Sequence, residues 1–131
     1  MLFRSKRITG WLAALMPLLA ACAAEEPVEW PAVITDESPV EYPVELWDLG
    51  IEGESLILVR VDALGAVDST LVAESSGYAE FDSAAIAGAR ELRFRPGRKG
   101  DKRVEMWVRL PVKFTKAGGA ELGIAEEEAS P

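Results

Sequence analysis

An α+β domain is the fold class that three stretches of this sequence predict. Val104, Met106, Val108, Leu110, Val112 and Phe114 alternate with Glu105, Trp107, Arg109 and Lys113, the period of two that a strand buried on one face requires. Phe81, Ala85, Ala89 and Leu92 fall at helical spacing and make one apolar stripe. Ser55–Val61 and Val67–Glu74 are β-rich runs joined by Asp62-Ala63-Leu64-Gly65, which reads as a hairpin with a glycine at its turn.

Taken in order, Pro43–Leu49 suits a short helix, with Pro in its first turn and Gly50 as its stop. The hairpin follows, and Ser75-Ser76-Gly77-Tyr78 breaks its second strand. The striped helix runs roughly from Glu80 to Glu91, with Gly88 inside it at a cost of about 1 kcal/mol against Ala. Arg93–Arg103 is a basic segment turned at Pro96-Gly97, and the alternating strand closes the domain. If the last strand pairs beside the first, every pairing is antiparallel. The result is a three-stranded sheet of order 2-1-3, covered on one face by two helices, with the third strand at the border.

The two ends read differently. Arg4, Lys6 and Arg7 precede an apolar run from Ile8 to Leu19, and Leu19-Ala20-Ala21-Cys22 follows. A charged start, a short apolar run and small residues make an export signal. Ending at a cysteine, it resembles a bacterial lipobox, which makes residues 1–21 a lipoprotein signal peptide and Cys22 the acylated residue. No Asp follows Cys22, which favours the outer membrane. The alternative is an uncleaved signal anchor. Residues 22–41 are rich in Ala, Glu and Pro and read as a tether reaching about 60 Å at roughly 3.3 Å per residue. Residues 117–131, with Glu126-Glu127-Glu128, read as a floppy acidic tail.

Composition narrows the chemistry. The chain has no His, and Cys22 is its single Cys. An internal disulfide, nucleophile–His catalysis and the usual zinc, iron or copper ligand sets are therefore excluded. No spacing of acids or serines suits general acid–base work, so no enzyme, cofactor or metal is expected. The net charge of −8 argues against non-specific nucleic-acid binding. That charge is split: fifteen acids and one base, Arg60, lie between Ala23 and Ala89, but ten bases and three acids lie between Arg90 and Lys116.

Six fragments stand in order: Tyr42-Pro43 with Gly50-Ile51-Glu52-Gly53; Asp62–Gly65 with Val67 and Val72; Ser75-Ser76-Gly77-Tyr78; Asp82, Ala84, Ala85 and Ile86; Arg93-Phe94-Arg95-Pro96; and Leu110–Phe114. Together they resemble the C-terminal domain of the TonB energy-transducer family. The resemblance covers about Tyr42 to Phe114 and sets the domain at residues 42–116. It implies a non-catalytic domain recruited through a strand edge to an envelope protein, with an outer-membrane receptor as one such partner. Arg103, Glu105, Trp107 and Arg109 on the third strand are the candidate partner-binding residues. Arg93, Arg95, Arg98, Lys99 and Lys102 form a candidate basic patch. That patch is either a solvated loop balanced by the acidic half or a docking surface for acidic partners, lipid headgroups or envelope polymer. Two functions stay open: a tethered binding module, or a short transducer taking part in active transport across the outer membrane.

Overall fold

The period-two run becomes the strand around which the main sheet is built. The computed structural model describes residues 26–123; Cys22, the stretch read as an export signal and the tail beyond residue 123 lie outside them. In chain order the elements are β1 (Val28–Glu29), β2 (Ala32–Val33), α1 (Val44–Asp48), β3 (Gly53–Val61), β4 (Val67–Glu74) and α2 (Ala79–Glu91). After these come β5 (Phe94–Arg95), β6 (Gly97–Lys99), β7 (Lys102–Val104), β8 (Met106–Thr115) and β9 (Gly119–Leu122). The main sheet is antiparallel with order β4-β3-β8-β9. The expected order 2-1-3 is present as β4-β3-β8, and β9 adds a fourth strand.

β3 and β8 pair along their whole length, from Gly53 opposite Phe114 to Val61 opposite Met106. On their shared inner face Ile57, Val59, Val61, Val108, Val112 and Phe114 are completely buried. The stripe of α2 meets them through Phe81, Ala85 and Ala89, with Leu92 just beyond the helix and Leu46 of α1 beside it. Gly53 matters here: a Cβ on it would lie 3.0 Å from the Phe81 ring. That missing side chain leaves room for Phe81 and Phe114 to stack, with ring centroids 4.3 Å apart. Tyr42 meets both rings edge-on, at 5.4 and 5.5 Å, and its hydroxyl donates to the Ile51 carbonyl. Burial, followed by the nearby Glu52 carboxylate, pushes the Tyr42 phenol above its ordinary range, which keeps it a donor.

Three expectations are corrected. The stretch read as a tether is partly folded: β1 pairs with β6, β2 pairs with β5, and Pro31 and Val40 are buried. Two-residue strands have no periodicity to read; their pairing is created by contact with the basic segment far along the chain. That basic segment is an ordered hairpin, β6–β7, joined through Gly100-Asp101. The tail likewise begins with a strand, since Thr115 Oγ1 accepts the Gly118 N–H at 3.0 Å and β9 folds back on β8.

Gly88 now has a reason. A Cβ there would lie 2.4 Å from Val40 Cγ2 and 2.7 Å from Val40 Cα, so the N-terminal segment crosses α2 at backbone distance. Gly88→Ala should therefore destabilise the domain by about 1–3 kcal/mol, as overpacking does, although Ala is the better helix former by about 1 kcal/mol. Thermal denaturation followed by circular dichroism measures the sign; a more stable variant would show that residues 38–41 do not press on α2.

Candidate partner-binding edge

Backbone polar groups alternate sides along a strand, and one contact fixes the phase in β8. The Gly123 N–H donates to the Pro111 carbonyl at 2.7 Å, so odd-numbered residues of β8 point their backbone groups away from β3. β9 and Gly123 after it satisfy this outer side only over Pro111–Thr115. From Met106 to Leu110 the outer side has no strand partner among the described residues, and the groups it presents belong to Trp107 and Arg109. Pro111 fits the same geometry, because its missing N–H falls on the outer side and costs no bond to β3. The expectation of an edge at the third strand is thus corrected to half of one.

The side chains beside this half-edge lie on the face away from α2. Trp107 is half-buried, with the Arg60 guanidinium 5.7 Å from its ring centroid. Arg60 is held by Asp68 at 2.6 Å and by Glu105 at 3.6 Å. Arg109 stands opposite Leu58, which stands opposite Leu71. Leu58 is only 7% exposed, although this face has no helix on it, while Leu71 is 45% exposed. The face is thus an apolar and aromatic strip bordered by cations. The opposite border of the sheet, β4, carries Asp68 and Glu74 and two register shifts against β3, features that blunt an edge.

The structure brings the four candidate partner-binding residues together only in part. Trp107 and Arg109 share β8, Glu105 lies between β7 and β8, and Arg103 belongs to β7 opposite Arg98. Of the basic patch, Arg98, Lys99 and Lys102 are on the hairpin, Arg95 is opposite Ala32, and Arg93 bridges to Ala66. All five are exposed. Among the described residues no group of three or more metal-ligating side chains occurs, and no helix is long and apolar enough to cross a membrane.

Sequence reasoning missed the device that holds the Ser75-Ser76-Gly77 turn. Asp82, in the first turn of α2, accepts from the Ser55 hydroxyl at 2.7 Å, from the Ser76 N–H and hydroxyl at 2.9 Å each, and from the Ser75 hydroxyl. Ser55 is completely buried on β3, so this carboxylate ties the sheet, the turn and the helix together. Burial on its own raises the Asp82 pKa; the hydrogen bonds from Ser75, Ser55 and Ser76 outweigh it and bring the value down to about 2. The folded-state value lies below the unfolded one of about 3.9. Its contribution is therefore complete above about pH 4 and is lost as pH falls towards 2. Asp82→Asn should cost about 1–3 kcal/mol at neutral pH and flatten stability between pH 4 and 2. An unchanged acid limb in urea titrations would remove Asp82 from that role.

Comparison with known proteins decides the family. The family model described as Gram-negative bacterial TonB protein C-terminal matches residues 38–115. The chain belongs to that family. Over 74 residues it is 36% identical to a Pseudomonas aeruginosa protein named Protein tonB2, a match covering 56% of this chain and 27% of that protein. Over 77 residues it is 34% identical to Protein TonB of Xanthomonas campestris pv. campestris, covering 59% of this chain and 34% of that protein. The match thus spans about a third or less of the length of these curated relatives. Among solved structures, the solution NMR structure of Pseudomonas aeruginosa TonB CTD matches with a TM-score of 0.48 and 24% identity, covering 77% of this chain and 90% of that one. β1, β2 and β9 fall outside the stretch matched by the TonB C-terminal model. β1 and β2 add to β6 and β5, and β9 extends the main sheet beyond β8.

Proposed function

We propose that this chain is a non-catalytic envelope lipoprotein whose TonB C-terminal domain captures an extended segment of an envelope partner on the free half of β8. The observation that carries this reading is the outer side of Met106–Leu110, where Trp107 and Arg109 present backbone donors and acceptors with no strand partner among the described residues. An added strand takes its affinity from such groups and its selectivity from neighbouring side chains. Here those neighbours are Trp107, Glu105 and Arg109, with Arg103 beyond them. Membership of the TonB C-terminal family supports an outer-membrane receptor as the partner. An export signal ending at Cys22 supports acylation and an address at the periplasmic face of the outer membrane.

A photo-crosslinking residue at position 109, used in living cells, should trap an envelope protein that the same residue at exposed Leu64 does not trap. Equal products at both positions would remove the edge from the reading. The anchor has its own test. Cys22→Ser should leave the chain unacylated, seen as a change in the mass of the mature N-terminus and in detergent partitioning; unchanged mass and fractionation would exclude lipidation. An N-terminus still at Met1 would instead favour the second reading, a short transducer working in active transport.

A further inference from the structure

The β6–β7 hairpin carries an unbalanced charge that the fold does not require. Arg98 stands directly opposite Arg103, and Lys99 directly opposite Lys102, and like charges facing each other across strands are destabilising. Arg93 and Arg95 lie just before the hairpin. Although the chain as a whole is acidic, none of these six bases has a carboxylate oxygen within 4.0 Å among the described residues; Arg60 forms the ion pairs that occur there. The acids nearby are Glu26, whose side chain lies beside Gly100, Glu29 opposite Arg98, and Asp101 in the turn. Three acids leave the patch cationic.

The hairpin also fixes how far the domain can stand from its anchor. β1 adds to β6, and the Gly100 N–H donates to the Pro27 carbonyl at 2.9 Å. The chain is therefore attached to the hairpin from Pro27 onward. Between Cys22 and Pro27 there are five residue steps, a reach of roughly 18 Å at about 3.5 Å per residue, far short of the span expected of a free tether. A membrane at Cys22 would hold the cationic turn within about two Debye lengths, each roughly 8–10 Å at physiological ionic strength. An uncleaved Ile8–Leu19 segment would leave eight steps, a reach of roughly 28 Å or about three Debye lengths, still less than half the span expected of a free tether.

We infer that Arg98, Lys99, Lys102 and Arg103 dock the hairpin on the anionic phospholipid surface of the membrane that carries the chain's own N-terminus. This rests on the anchorage read above. The domain then lies against the bilayer, and because the hairpin leads directly into Met106, the open half of β8 sits beside that surface.

The test uses the full chain reconstituted into vesicles, with a fluorescent amino acid replacing Asp101 and a quencher on the lipid headgroups. Quenching is expected in vesicles containing phosphatidylglycerol, not in pure phosphatidylcholine, and should fade as salt rises. Lys99→Gln with Lys102→Gln should lower the docked-to-undocked ratio about 25-fold, each base near an anionic surface being worth a factor of about five. A chain that floats with the vesicles while position 101 stays unquenched overturns the docking alone. A chain that does not float overturns the anchorage, and the docking with it. Protection of position 101 by an added acidic peptide but not by anionic vesicles would assign the patch to a protein partner, against this proposal.

Discussion

Phe114→Ala should unfold most of the domain at physiological temperature. Phe114 is completely buried at the end of β8, stacks on Phe81 and receives the edge of Tyr42. Truncating a buried Phe typically costs about 3–5 kcal/mol, and whole domains have about 5–15 kcal/mol available. The cavity cannot close by collapse, because Gly53 opposite has no side chain to move in and Phe81 is held by edge-on contacts with Tyr42 and Tyr78. At about 4–8 °C per kcal/mol for a domain of this size, the midpoint should fall by roughly 15 °C or more. Leu64→Ala, at a residue 82% exposed in the β3–β4 turn, should move it little. A Phe114→Ala protein melting beside the parent would mean that the stacked pair is not the centre of the core.

What could be read from the sequence, and what could not, follows from where each feature stores its information. β8 and α2 announce themselves because every second or every third to fourth residue repeats the same choice between core and solvent. Val108, Leu110 and Phe114 do meet Ala85, Ala89 and Leu92 in one core cluster. β1 and β2 are two residues each, and β9 is four, so their existence depends on partners far along the chain. One local signal for β9 was available in Gly118-Gly119, a hairpin turn after a clear strand. Gly100-Asp101 is another such turn, masked by the charges around it. The Asp82 clamp had no periodic signal: its partners Ser55, Ser75 and Ser76 stand 27, 7 and 6 residues away. The candidate edge was legible as a strand, but which half stays open depended on where β9 ends.

Arg109→Pro should abolish partner capture while the domain stays folded, and its neighbour should do the reverse. Proline removes a backbone N–H and fixes φ near −65°, so its effect in a strand depends on which side that N–H faces. At position 109 the N–H points to the free border, where a captured segment would bond it; at Leu110 it points to β3, inside the sheet. Arg109→Pro therefore loses donation to the partner and places a ring where its backbone must approach. The β3 ladder survives, and Val108 before it is already in the extended region that proline demands of its predecessor. Leu110→Pro instead breaks a ladder bond in the middle of the buried face, and should unfold the domain as interior proline does. Trp107→Ala, which removes the large aromatic beside the same border, should weaken capture by about 1–3 kcal/mol without changing the fold. Circular dichroism reports folding, and crosslinking or pull-down from envelope extracts reports capture. A folded Arg109→Pro chain that still recovers the wild-type partners would show that this border is only a covered end of the sheet, and would move the binding site to the apolar strip of Leu58, Leu71 and Trp107.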